Sequence, residues 1–181
     1  MKHIPNLLTF ARIAILPILI LLILNGSEQS VWLAFILYVL ASITDFLDGY
    51  LARKWNVESA VGKFLDPISD KIFVACVLLA LVSTGVISGF WLIAAFIIFI
   101  REFLVSGLRE FLGPQNISLP VTQLAKWKTT IQMVALGLLI LVPVSPPFFE
   151  IFSLISLLIA AILTAITGWS YLKSSWQYIV K

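Results

Sequence analysis

Four aspartates lie close together in a chain that carries only nine acidic residues. Asp45 and Asp48 are three residues apart, and Asp66 and Asp70 are four residues apart. Each spacing places the two carboxylates of a pair on one face of a helix. Carboxylates that converge in a partly dry site repel one another unless cations lie between them, and oxygen ligands favour Mg²⁺, Mn²⁺ or Ca²⁺ over zinc. The four aspartates therefore predict a divalent-metal site.

Small residues and an arginine accompany the aspartates. Gly49, Ala52 and Gly62 leave backbone accessible beside the carboxylates, and Arg53, one helical turn beyond Gly49, is suited to bind a phosphate. The second aspartate pair is expected near a helix N-terminus, which favours negative charge and offers N–H groups to anions, and the first pair near a C-terminus. Together these features indicate phosphoryl transfer that involves a pyrophosphate. Surface ion pairs and close helix packing are the alternatives.

The elements that must position these residues are apolar helices. Hydrophobic residues make up 61% of the chain and charged residues 12%, against roughly 45–50% and 25% in soluble domains, which excludes a soluble globular domain. A bilayer span needs about 20 apolar residues. We predict an all-α polytopic membrane protein with six transmembrane helices, formed by a single domain over residues 1–181. The predicted spans are Leu7–Leu24, Val31–Ala52, Gly62–Thr84, Phe90–Leu112, Leu119–Val142 and Phe148–Leu172.

The basic residues indicate how these spans are oriented. The connections after the first, third and fifth spans contain no lysine or arginine, whereas the termini and the other connections carry basic residues at or near them. Positively charged loops stay in the cytoplasm. We therefore expect a multi-pass protein of the cell (plasma) membrane, with both termini and the aspartates on the cytoplasmic side.

The aspartate-containing stretch reads D-x2-D-G-x2-A-R-x8-G-x3-D-x3-D, which resembles the signature of the CDP-alcohol phosphatidyltransferase family. The resemblance covers the whole chain. It implies the CDP-alcohol phosphotransferase fold, a six-helix membrane fold that is usually a homodimer and whose site opens to the cytoplasm. The matching positions are Asp45, Asp48, Gly49, Ala52, Arg53, Gly62, Asp66 and Asp70.

The resemblance also implies a role for each residue. The four aspartates would hold two divalent ions, Mg²⁺ or Mn²⁺, that bridge the pyrophosphate of a CDP-linked lipid. Asp70 would also act as the general base that takes the proton of the acceptor hydroxyl. The segment PNLLTFAR, at the start of the first span, resembles the part of the family that faces the nucleotide. The residues implied in CDP-lipid binding are Asn6, Thr9, Arg12, Gly49, Ala52, Arg53, Ser59 and Gly62.

Two arginines near the end of the fourth predicted span bear on the acceptor alcohol. Arg101 lies within the span, where an ionisable residue is a functional candidate by default. Arg109 lies two turns later. Glu102 and Glu110 offer the alternative explanation, because they could neutralise the arginines in structural ion pairs.

Two lysines follow in the fifth span. Lys126 and Lys128 point about 200° apart on a helix, so at most one of them faces the site. Extra cations beside the metals suit an acceptor that carries a phosphate, and we predict that its contacts come from Arg101, Arg109, Lys126 and Lys128.

The strings REFLVSGLREFL and KWKTTIQ, with PNLLTFAR, resemble bacterial members of the family that use sn-glycerol 3-phosphate. This implies transfer of a phosphatidyl group from CDP-diacylglycerol to sn-glycerol 3-phosphate, with release of CMP. Inositol phosphate, phosphatidylglycerol or serine as acceptor is the alternative. An ion-coupled membrane transporter is a remote alternative, and no nucleic-acid partner is indicated.

Overall fold

The part of the chain that the structure describes forms six α-helices. The computed structural model describes the backbone of residues 4–55, 60–115, 117 and 122–179, and the side chains of 10–44, 68–115, 117 and 122–179. Short 3-10 turns precede α4 and follow α4 and α5. Within the described residues the regular secondary structure is helical, without strands. The helices are α1 (Ile4–Asn25), α2 (Glu28–Trp55), α3 (Ala60–Ser83), α4 (Leu92–Leu112), α5 (Gln123–Leu141) and α6 (Pro147–Ile179).

The all-α prediction with six helices is confirmed, and the largest difference in helix bounds is at the end of the chain. We expected the last helix to end at Leu172, but α6 continues to Ile179. The segment after Leu172 is polar, and a helix needs no apolar surface where it leaves a membrane. The predicted start of the fifth helix, Leu119, lies outside the described residues.

The described residues group into two compact units. The first unit comprises those within Met1–Val86 together with Gly137–Pro146, and the second comprises those within Ile87–Leu136 and Pro147–Lys181. The boundary falls inside α5, so this helix contributes to both units. Whether residues 1–181 act as a single domain stays a prediction.

In the first unit, α1 packs against both α2 and α3. Arg12 lies on the buried face of α1 together with Leu16 and Leu19, which follow it at helical spacing. Tyr38 of α2 stacks on Phe73 of α3, with ring centroids 5.5 Å apart. This packing holds α1, α2 and α3 together and positions Arg12 for the contacts described below.

In the second unit, α4 packs against α6. Val105, Leu108 and Leu112 of α4 form one buried cluster with Ala125 of α5 and Tyr171 of α6. The buried face of α6 is unusually polar for an apolar helix. Its buried polar residues are Ser153, Thr164, Thr167, Tyr171 and Ser175.

Large apolar side chains cover the outward faces of these helices. Leu21, Phe96 and Phe148 are each more than 60% exposed, in a chain where such residues are numerous. A soluble protein rarely exposes apolar surface on this scale. Among the described residues, the helical segments Gly89–Gln115, Gln123–Val144 and Pro147–Ile179 are long and apolar enough to cross a membrane. The protein is therefore a helical membrane protein.

Gly137 of α5 provides a test of the packing within the first unit. A Cβ atom at this position would lie 3.3 Å from Cε1 of Tyr38 and 3.6 Å from Cε2 of Phe35. We expect Gly137→Val to lower the free energy of unfolding by about 1–3 kcal/mol through overpacking. The matched control is Gly107→Val, because a Cβ at Gly107 meets nothing within 4 Å. Thermal unfolding in detergent measures both, and equal stability of the two variants would contradict the packing at Gly137.

Candidate functional site

The four aspartates lie on continuous helix. Asp45 and Asp48 belong to α2, which runs without interruption to Trp55, and Asp66 and Asp70 belong to α3. Spacings of three and four residues on an unbroken helix place each pair on one face. The backbone thus has the local geometry that the proposed metal site requires of each pair.

The short connection between α2 and α3 brings the two pairs to the same end of the helices. α2 ends at Trp55 and α3 begins at Ala60, and a chain of this length spans at most about 18 Å. Asp45 lies ten residues before Trp55, and Asp70 lies ten residues after Ala60. Both are therefore about 15 Å along their helices from the connection. In antiparallel neighbouring helices these positions have the same depth.

Asp70 is the aspartate of this set whose side chain is described, and it is bound to α1. Nη1 of Arg12 donates a hydrogen bond to Oδ1 of Asp70 at 2.8 Å and another to Oγ of Ser69 at 3.2 Å. Arg12 is 4% exposed, whereas the Asp70 side chain is 52% exposed. The arginine is thus a buried anchor, and the carboxylate that it holds is accessible to a ligand.

The helix-dipole argument for the aspartates does not hold. α3 begins at Ala60 and has no acidic residue in its first turn, so Asp66 and Asp70 lie deeper in the helix. Asp48 likewise lies seven residues before the end of α2. The dipole acts within the first or last turn only. At Asp70, the positive charge comes from the guanidinium of Arg12 instead.

Several predicted site residues have side chains outside the described part of the structure. Their helical backbone is described, except for that of Ser59, which lies outside the described residues altogether. These residues are Asn6, Thr9, Asp45, Asp48, Gly49, Ala52, Arg53, Ser59, Gly62 and Asp66.

A second polar cluster lies in the second unit and contains two of the predicted acceptor residues. Nζ of Lys128 donates to Oε1 of Glu102, and Nη1 of Arg101 lies 3.7 Å from Oε2 of the same glutamate. The Lys128 side chain is 2% exposed, and those of Arg101 and Glu102 are 13% and 17% exposed. Glu102 is therefore a shared carboxylate for two largely buried cations.

The other two predicted acceptor cations are exposed. Arg109 lies with its Cζ 5.5 Å from the ring centroid of Tyr171. Lys126 is exposed whereas Lys128 is buried, in keeping with their 200° separation. The structure thus groups Arg101, Arg109 and Lys128 around α4 and α6, and it leaves Lys126 on the surface of α5.

The prediction from sequence missed several polar residues of this second cluster. Tyr171 and Thr167 of α6 contact Arg101, and Gln132 is buried one helical turn after Lys128. A signal was present for these residues, since polar side chains recur at helical spacing within apolar spans. Taken singly, each of these residues also fits an ordinary helix contact, so its type and spacing alone do not identify it.

The pairing of Glu102 with Lys128 predicts an effect on stability. Removal of one partner from a buried ion pair costs about 3–5 kcal/mol, so we expect Glu102→Ala to lower the thermal unfolding midpoint markedly. Glu102→Leu combined with Lys128→Met should recover part of the loss, because Arg101 is then the one cation of the pair that has lost its carboxylate. The control is Glu110→Ala, since Glu110 is exposed on the same helix. Equal midpoints for Glu102→Ala and the control would contradict the pairing.

Comparison with known proteins identifies the family. The model of the family CDP-alcohol phosphatidyltransferase matches residues 2–169. A Rickettsia typhi protein named CDP-diacylglycerol–glycerol-3-phosphate 3-phosphatidyltransferase is 47% identical over 180 residues, which cover 98% of this chain and 99% of that protein. A Bacillus subtilis protein of the same name is 35% identical over 194 residues, covering 98% and 97%. This chain belongs to the CDP-alcohol phosphatidyltransferase family.

Proposed function

We propose that this protein transfers the phosphatidyl group of CDP-diacylglycerol to sn-glycerol 3-phosphate, giving phosphatidylglycerol phosphate and CMP. The observation that carries the proposal is the set of four family aspartates on unbroken α2 and α3, at matched distances from a short connection. The names of the Rickettsia typhi and Bacillus subtilis relatives support this choice of substrates. Membership of a transferase family leaves the transporter alternative without support.

The aspartates are proposed to hold two divalent ions, Mg²⁺ or Mn²⁺. The donor set fits hard cations, because every proposed ligand is a carboxylate oxygen and each pair occupies one helix face. Ions held by these residues would supply positive charge that offsets the negative charge of the pyrophosphate and of CMP. The proposed ligands are Asp45, Asp48, Asp66 and Asp70.

Asp70 is proposed as the general base. Its carboxylate takes the proton of the acceptor hydroxyl while the hydroxyl oxygen attacks the phosphorus that carries the diacylglycerol. The bond from this phosphorus to the oxygen of CMP breaks, and CMP leaves with the electron pair. The half-exposed carboxylate is accessible to an acceptor, and the bond from Arg12 orients it.

The family resemblance supports a CDP-lipid site along α1, α2 and the start of α3. Arg53 would bind a phosphate of the CDP group. The glycines would let the nucleotide approach the backbone at positions where a side chain would block it. Arg12 has a described contact with Asp70, which supports a place for it in the same site. The proposed CDP-lipid residues are Asn6, Thr9, Arg12, Gly49, Ala52, Arg53, Ser59 and Gly62.

The acceptor phosphate is proposed to bind to the cations of the second unit. Arg101 and Lys128 share the carboxylate of Glu102, and Arg109 lies with Arg101 at the ring of Tyr171. Three cations with one shared carboxylate leave net positive charge for a phosphate. The exposed Lys126 could contribute only from the surface of α5. Inositol phosphate remains the alternative acceptor that uses the same charge, whereas serine and phosphatidylglycerol would use it less.

We further propose that all six helices cross the plasma membrane, with both termini and the site in the cytoplasm, and that the protein is a homodimer. The absence of basic residues from three alternate connections supports this orientation. The apolar outward faces of the described helices support contact with lipid.

An acceptor panel tests the proposed reaction. Purified protein in detergent receives CDP-diacylglycerol, Mg²⁺ or Mn²⁺, and one of sn-glycerol 3-phosphate, inositol 1-phosphate, serine or phosphatidylglycerol, and CMP release is measured. We expect turnover with sn-glycerol 3-phosphate, and loss of turnover with EDTA that added Mg²⁺ restores. Turnover with a different acceptor alone would overturn the proposed substrate, and no turnover with any acceptor would overturn the transferase reaction.

Substitution of Asp70 tests its proposed role as base. Asp70→Asn keeps an oxygen that accepts the hydrogen bond from Arg12 but removes the basic carboxylate. We expect kcat to fall by about 10²-fold or more, while CDP-lipid binding changes little. The unfolding midpoint should fall only in part, because the buried guanidinium of Arg12 loses its counter-charge but keeps a hydrogen-bond acceptor. A kcat close to that of the unsubstituted protein would refute Asp70 as the base. A parallel loss of folding would be visible in the unfolding midpoint.

A further inference from the structure

The side chain of Arg101 crosses α6 at a glycine. A Cβ atom at Gly168 would lie 2.9 Å from Cγ of Arg101 and 3.9 Å from its Cβ. Cγ is near the root of the arginine side chain, so it cannot swing away as a flexible end could. Gly168 therefore provides the space through which Arg101 reaches across α6.

Past this glycine, the guanidinium of Arg101 is held by three groups. Nη2 lies 3.5 Å from Oγ1 of Thr167, Nη1 lies 3.7 Å from Oε2 of Glu102, and Cζ lies 5.7 Å from the ring centroid of Tyr171. Its Nε is buried and has no hydrogen-bond partner in the part of the chain that the structure describes. The guanidinium of Arg101 is thus oriented by long contacts, and its N–H groups retain capacity to donate hydrogen bonds to an anion.

The same tyrosine ring also holds Arg109. Cζ of Arg109 is 5.5 Å from the ring centroid of Tyr171, and Tyr171 is 5% exposed. Arg101 and Arg109 are eight residues apart on α4, about 12 Å along the helix axis. Both guanidinium groups nevertheless converge on one ring, although their like charges repel. A ring face attracts each cation and so offsets part of this repulsion.

We infer that Gly168 and Tyr171 are positioning residues that hold Arg101 and Arg109 together for the dianionic phosphate of the acceptor. This inference rests on the proposed assignment of the acceptor phosphate to these arginines. Arg101 and Lys128 share the carboxylate of Glu102, and Arg109 lies on the same ring as Arg101, so these four groups carry a net charge of two that a phosphate dianion would balance. The aromatic ring acts as the fixed element, because it is buried in the apolar cluster with Val105 and Leu108.

The ring face, and not only its bulk, is required by this inference. Tyr171→Phe retains a ring face for both guanidinium groups, whereas Tyr171→Leu removes it. We expect Tyr171→Leu to weaken the binding of sn-glycerol 3-phosphate about tenfold, the size of one cation–π contact. Tyr171→Phe should retain most of the affinity, and Gly168→Ala should weaken binding because its methyl group displaces Arg101.

Calorimetry of sn-glycerol 3-phosphate binding to the purified full-length protein in detergent is the first measurement, with glycerol as the ligand without a phosphate. The second measurement is the KM for each substrate of the reaction. We expect Tyr171→Leu and Gly168→Ala to raise the Kd and the KM for sn-glycerol 3-phosphate while the KM for CDP-diacylglycerol changes little. The control is Gly107→Ala, since a Cβ at this exposed position of α4 meets nothing.

The outcomes separate this inference from the proposed function. If the unsubstituted protein binds sn-glycerol 3-phosphate but does not turn it over, the proposed reaction fails, and the Kd values of the variants still decide the inference. Equal Kd values for Tyr171→Leu and Tyr171→Phe, or equal effects on both substrates, would overturn it. Failure of the unsubstituted protein to bind sn-glycerol 3-phosphate would overturn it as well. If Gly168→Ala does not fold, the comparison of Tyr171→Leu with Tyr171→Phe decides the inference.

Discussion

Charged side chains placed among apolar helices must be compensated, and both polar clusters of this protein follow from that requirement. A buried charge without a partner is so costly that its helix would pack in another register. Arg12, on the buried face of α1, is compensated by Asp70 of α3, and Lys128 of α5 by Glu102 of α4. These pairs fix helix rotation more sharply than apolar contacts do, because a rotated helix would leave a buried charge alone.

The two pairs leave different amounts of charge available to a ligand. Arg12 is buried and holds a half-exposed carboxylate, so the accessible charge there is negative. In the second unit, Glu102 faces both Lys128 and Arg101, and Arg109 lies nearby on Tyr171, so the balance is positive. A negative site suits metal ions and a proton-accepting carboxylate, and a positive site suits a phosphate. Both properties agree with transfer between two phosphate-bearing substrates.

Glycine and aromatic residues supply the close approaches that these charges need. At Gly168, the missing side chain lets Arg101 lie against α6, and at Gly137 it lets α5 approach Tyr38. In both places a side chain would force the packed helices apart. Two tyrosines provide rigid surfaces for these close contacts. Tyr38 stacks on Phe73, and the ring of Tyr171 contacts the guanidinium groups of Arg101 and Arg109.

The sequence by itself determined the helical class, the six helices and the family, because these depend on composition, apolar segment length and residue spacing along one chain. The aspartate signature of Asp45 to Asp70 is of this kind, since each pair lies within about one helical turn. Only the tertiary structure decided that Asp70 pairs with Arg12 of α1 rather than relying on a helix terminus. It also decided that Lys128 is buried and Lys126 exposed, and that Tyr171 joins Arg101 to Arg109. Such contacts depend on helix rotation and on which helices are neighbours, and spacing along a single helix does not encode either.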